Sequence, residues 1–104
     1  LPLQEMESFV IGRLQTIAWR HSLQLKSIEP TRGELTDDYQ ELLFQVTLSG
    51  GYFDLEQWLL DLHKELGFVV VREFQLRRES GSAFAPVLGA RFLLASYRME
   101  TRAP

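Results

Sequence analysis

Residues 41–70 read ELLFQVTLSGGYFDLEQWLLDLHKELGFVV, and this stretch decides the fold because the period of its apolar residues changes twice. Leu42, Phe44, Val46 and Leu48 alternate with Leu43, Gln45, Thr47 and Ser49, the period of two that a half-buried strand requires. Gly50 and Gly51 end the alternation. Leu55, Leu59, Leu62 and Leu66 then recur at spacings of three and four, which puts them along one side of a helix. Asp54 with Gln57 has the form of a capping box, and Phe53 and Trp58 fit a hydrophobic staple. His63 and Lys64 suit the negative end of the helix dipole, and Gly67 is expected to close the helix in the left-handed conformation. From Phe68 to Arg78 the composition returns to that of a strand, with Val69, Val70, Val71, Phe74 and Leu76. Strand, helix and strand in this order form a crossover, expected to be right-handed.

The sequence before this unit supplies a second helix and strand. Leu3, Met6, Val10, Leu14, Ile17 and His21 recur at three and four, an amphipathic helix whose stripe suits packing on a sheet. Arg13 falls where a heptad needs a core residue, so a coiled coil would have to end there. Leu23, Leu25 and Ile28 predict a short edge strand that Pro30 and Gly33 interrupt, followed by a polar connection over residues 30–38. After a second soft connection over residues 79–86, Leu88, Ala90, Phe92 and Leu94 make one face of a last strand, while Val87, Leu93 and Tyr97 make part of the other.

The order is thus αββαββ. If both helices share one face, a sheet order of 3-4-2-1 makes every neighbouring pair antiparallel and centres the last strand, which explains its apolar residues on both sides. The expected fold is α+β, a two-layer sandwich of circularly permuted ferredoxin-like type. At 104 residues, 45% hydrophobic and 24% charged, the chain is expected to be one compact domain over 1–104. It starts at Leu1 and is expected to be a piece of a longer protein.

Composition excludes several kinds of chemistry. A net charge of -3 argues against a partner bound through its phosphates, so nucleic acid is not expected. The absence of cysteine removes thiol chemistry, disulfides and cysteine-ligated zinc. No apolar run is long enough to span a bilayer. His21 and His63 are the only histidines and form no HxxxH pair, so each reads as a helix-end residue. Asp37, Asp38 and Glu41 cluster in sequence but lack the spacing and central glycine of a calcium loop. Ser49, Ser80 and Ser82 lie in no GxSxG turn, and Gly50-Gly51 lacks the rest of a phosphate-binding motif. Arg72, Arg77 and Arg78 around Phe74 suggest a small basic and aromatic patch, but Glu73 and Glu79 dilute it and the RNA-recognition pattern is absent. Acylphosphatases have ferredoxin-like architecture, yet their site resembles an arginine plus an asparagine, and this chain has no asparagine. No catalytic, metal-binding or cofactor-binding residue is expected, and no cofactor.

Three segments resemble a known family: Leu25-Lys26-Ser27-Ile28-Glu29-Pro30; Tyr39 leading into residues 42–55 through Gly51-Tyr52-Phe53-Asp54; and Leu93-Leu94-Ala95-Ser96-Tyr97-Arg98. They are similar to the periplasmic domains of the type IV pilus PilO proteins and the type II secretion M proteins, over roughly Ser8 to Met99. The resemblance implies a non-enzymatic scaffold part of a bacterial inner-membrane complex, anchored by one transmembrane helix upstream, with this domain in the periplasm. It implies homodimers, and heterodimers with a similarly folded PilN-like or secretion L-like protein. The residues themselves suggest a surface for such contacts. Both edge strands expose backbone donors and acceptors, and Val69, Val71, Leu93 and Tyr97 are expected to form an apolar patch on the sheet face away from the helices. The alternative from architecture alone is a ferredoxin-like small-ligand regulatory domain.

Overall fold

The computed structural model describes residues 2–99, which form α1 (Leu3–Arg20), β1 (Gln24–Leu35), β2 (Tyr39–Gly51), α2 (Tyr52–Glu65), β3 (Val70–Gly81) and β4 (Pro86–Met99). Leu1 and 100–104, part of the expected domain, lie outside the described residues. The four strands make one antiparallel sheet in the order β1-β2-β4-β3, the expected order read from its other edge. β4 is central, and its register with β2 runs unbroken from Tyr39↔Met99 to Gly51↔Val87. The stripes of both helices, Val10, Leu14 and Ile17 from α1 with Leu55, Trp58 and Leu62 from α2, share one core with Leu42, Phe44, Val46 and Leu48 of β2 and Ala90, Phe92 and Leu94 of β4. Each large side chain fully buried there contributes roughly 2 kcal/mol. The helices therefore form one layer and the sheet the other, an α+β fold of the ferredoxin-like kind.

Local details depart from the sequence reading for identifiable reasons. β1 does not stop at Pro30; it continues to Leu35, with Pro30 opposite Phe44. An edge strand needs no donor on its outer side, so a proline is tolerated there. The polar connection shrinks to a tight turn in which Thr36 Oγ1 accepts from the Asp38 and Tyr39 N–H groups at 3.1 Å each. At α2 the chain passes from strand to helix without a linker: Gly51 is the N-cap, with no side-chain cap bond. Asp54 is thereby in the first turn, where its charge still faces the positive end of the dipole. Phe53 is exposed while Trp58 is fully buried, so the two form no staple. Gly67 is not left-handed. That conformation occurs at Ser22, after α1, and at Gly81, where an added Cβ would meet the Ala85 carbonyl oxygen at 2.4 Å.

The domain is long rather than compact, measuring 60 × 21 × 18 Å with a radius of gyration of 15.2 Å, against about 13 Å for a globule of this length. The strands cause this. At 12 to 14 residues each they run about 40 to 46 Å, whereas the 14 residues of α2 reach only about 21 Å. α1 lies against β1, and α2 against β2 and β4. Neither helix covers β3, which is exposed along all 12 of its residues.

Candidate protein-protein interface

The titratable groups noted in the sequence serve the fold. His21 Nε2 lies 2.6 Å from Asp61 Oδ2, Arg20 Nη1 lies 3.0 Å from the same oxygen, and Arg13 and Arg20 both pair with Glu65. These contacts clasp the C-terminal half of α1 to α2. The His21 hydrogen bond, then that of Arg20, holds the Asp61 carboxyl below its ordinary range, and Arg20 does the same to Glu65. His63 is exposed. Glu41 is separated from Asp37 and Asp38: it sits in β2 and accepts from Arg72 Nη1 at 2.8 Å and from the Glu34 N–H at 3.2 Å. Among the described residues no group of three His, Asp or Glu side chains is arranged to hold a metal. Ser49 is buried, Ser80 is exposed on β3, and Ser82 Oγ accepts from the Ala85 N–H at 3.1 Å. Arg72, Arg78 and Phe74 do not gather into one patch: Arg72 turns to Glu41, Arg78 donates to the Gly81 carbonyl at 2.9 Å, and Phe74 faces the helix side, stacked on Phe92 at 6.3 Å.

The expected apolar patch is divided among three places. Val69 is 7% exposed, packs in the core, and precedes β3. Val71 is 37% exposed but lies on the helix side of the sheet, opposite Leu94. Only Leu93 and Tyr97 occupy the open face, opposite Gln45 and Glu41. The cause is an irregularity between Val71 and Glu73: Arg72 is an extra residue, so the side-chain parity reverses there. The open face mixes polar pairs with an apolar row, Leu43, Ala95 and Val70, beside Leu93. Lys26 reaches Glu79 at 3.1 Å across its width, Arg72 meets Glu41, and Tyr97 donates to Glu41 while its ring stands edge-on to Tyr39 at 5.3 Å. The bond to Glu41 raises the Tyr97 pKa.

The apolar surface lies on the other side, where β3 is left uncovered. Val71, Phe74 and Leu76 pair with the core residues Leu94, Phe92 and Ala90, so they point to the helix layer. With α2 leaning toward β2 and β4, an open groove of about 390 Å³ remains between α2 and β3. Tyr52, Leu55, Glu56 and Leu59 form one wall, Val71, Phe74 and Leu76 the other, and Phe92 the floor. Phe74 is 63% exposed. An apolar groove beside an unpaired strand edge is a surface on which another chain can add a strand and bury side chains at once. Sequence reading missed Phe74, Leu76 and Tyr52 because it places the expected patch on the sheet face away from the helices. The available signal was the number of charges in β3, with Arg72, Glu73, Arg77, Arg78 and Glu79 among its residues, unusual for a strand buried on one face.

No family model matches the sequence, and no curated protein matches it. Solved structures do match the fold. The type 4 fimbrial biogenesis protein PilO from Pseudomonas aeruginosa superposes with a TM-score of 0.84 at 19% identity, covering 96% of this chain and 73% of that one. The core region of PilO from the type IV pilus system of the same organism gives 0.69 at 20% identity, covering 88% of this chain and 96% of that one. This chain therefore has a PilO-like fold.

Proposed function

We propose that this chain is a non-enzymatic scaffold domain of a bacterial type IV pilus or type II secretion assembly platform, acting by dimerisation with itself and with a similarly folded PilN-like or secretion L-like protein. The observation that carries the reading is the uncovered β3 edge with its apolar groove, in a chain with a PilO-like fold. In this reading the domain stands in the periplasm, tethered to the inner membrane by a helix upstream of Leu1. Val71 belongs to the contact surface directly, and Val69 supports it from the core. Leu93 and Tyr97, on the open face, offer a second and more polar contact to a different partner. A small-ligand regulatory role is less well supported, because the groove presents only Glu56 and the Tyr52 hydroxyl as polar groups to orient a metabolite.

The test is co-purification of the chain with like-folded inner-membrane proteins of these systems, together with sedimentation equilibrium over a wide concentration range. Complex formation with one of them is expected. A strict monomer that binds none of them overturns the proposal.

A further inference from the structure

We propose that two copies of this chain join edge to edge through β3, antiparallel about a two-fold axis at Gln75, so that Glu73 of each copy faces Arg77 of the other. The inference deepens the dimerisation reading above by naming the surface and register, and it rests on that reading only for the expectation that the chain self-associates.

Symmetry restricts the choices. A two-fold axis perpendicular to a sheet keeps every side chain on its own face, so a strand pairing with its copy must place one residue opposite itself. In β3 the regular register lies between the irregularities at Arg72 and Glu79, which leaves Phe74, Gln75 and Leu76 as the central candidates. An axis at Leu76 sets Glu73 against Glu79 and Phe74 against Arg78. One at Phe74 sets Val71 against Arg77 and Glu73 against Gln75, with no opposite charges matched. The axis at Gln75 sets Glu73 against Arg77 twice on the open face and Phe74 against Leu76 twice on the helix face. Opposite charges and apolar pairs directly across a ladder are the stabilising combinations. The next pair outward, Arg72 and Arg78, lies at the edge of the regular stretch, and each guanidinium is already bonded within its own chain.

Two further observations favour a second copy as the occupant. Among the described residues Glu73 and Arg77 have no ion pair inside the chain, so both are available to a partner. The paired strands also extend the groove, because Phe74 and Leu76 of both copies would form one apolar strip flanked on each side by Tyr52 and Leu59.

The experiment uses the 104-residue chain and two charge reversals, E73R and R77E, at exposed positions without intrachain partners, with circular dichroism to check that each folds. Each variant alone replaces both attractions by repulsions, and self-association measured by sedimentation equilibrium is expected to weaken about tenfold or more. An equimolar mixture of the two carries cations on one edge and carboxylates on the other, and is expected to return to within about threefold of the parent chain, as is the double variant E73R/R77E. Because the chain has no cysteine, Q75C is expected to form a disulfide dimer under mild oxidation, while S80C, far from the axis, forms none. Singles that associate like the parent, or a mixture no tighter than the singles, overturn the register. Loss of the register with heteropartner binding intact leaves the scaffold reading standing, whereas a chain that self-associates in this register yet binds no inner-membrane partner keeps this inference and removes the heterodimer half of that reading.

Discussion

The two edges of the sheet have been treated differently by the same chain. At β1, Pro30 removes a backbone donor, irregularities fall at Lys26 and between Arg32 and Leu35, and α1 lies against the strand so that Leu25 and Ile28 are half buried. Each of these is a known way to keep a strand edge from recruiting another chain. β3 also carries irregularities, at Arg72 and Glu79, and five charged residues, but no proline occurs in it and no helix covers Val71, Phe74 or Leu76. The edges thus differ in proline and helix cover, not in bulges or charge. The proposed contact between chains uses the edge that no helix covers.

The most damaging way to break the comparison is to remove the floor that both halves share. Trp58 is fully buried, its indole N–H donates to the Leu14 carbonyl at 3.5 Å, and its ring lies 5.2 Å from Phe92, which floors the β3 groove. W58A is expected to lose about 3 to 5 kcal/mol of stability in urea unfolding. A loss under about 1 kcal/mol would mean that the two helices are not held by this contact. A sharper separation comes from truncating one apolar residue at each edge. L25A, half buried under α1, is expected to cost about 1 to 2 kcal/mol of stability with self-association unchanged. F74A, largely exposed, is expected to cost under about 1 kcal/mol and to weaken self-association instead. If the two variants show the same pattern, the edges do not differ in function.

Smaller effects test how β1 is closed. P30T restores a donor at the protected edge and is expected to change stability by less than about 0.5 kcal/mol while increasing concentration-dependent association in light scattering. No increase would show that α1 alone protects the edge. The clasp that holds α1 in place is sensitive to acid. Asp61 and Glu65 have folded-state pKa values below their unfolded ones, so their contribution is present above the ordinary carboxylate range near about 4 and is lost as pH falls through the lower folded values. The unfolding midpoint of the parent chain should therefore fall more steeply below about pH 4.5 than that of D61N/E65Q. Parallel curves would show that these pairs add nothing to stability, as holds for many exposed ion pairs.

The element order and sheet order were legible because they depend on period and connectivity. The alternation of residues 42–48, the leucine spacing of α2 and the antiparallel rule leave few arrangements. What decides the candidate surface was not legible, for two physical reasons. Arg72 enters β3 as an extra residue with nothing in its identity to announce it, and it moves Val71 to the helix side. The coverage of β3 depends on where a short α2 comes to rest over long strands, which is set by its Trp58 packing against Phe92 and not by any local pattern. Pro30 shows the opposite error. Its reading as a terminator treated a local rule as absolute, when the position at a sheet edge permitted it.

The unequal lengths of strand and helix have a hydrodynamic consequence. A body roughly three times longer than it is wide tumbles and diffuses more slowly than a sphere of its 12.1 kDa mass, and a single copy will elute from a sizing column ahead of globular standards. Elution volume alone will therefore overstate the mass of a single copy. Side-by-side joining at an edge thickens the particle while adding little to its length, so the pair is rounder than the single copy and its frictional ratio falls on association.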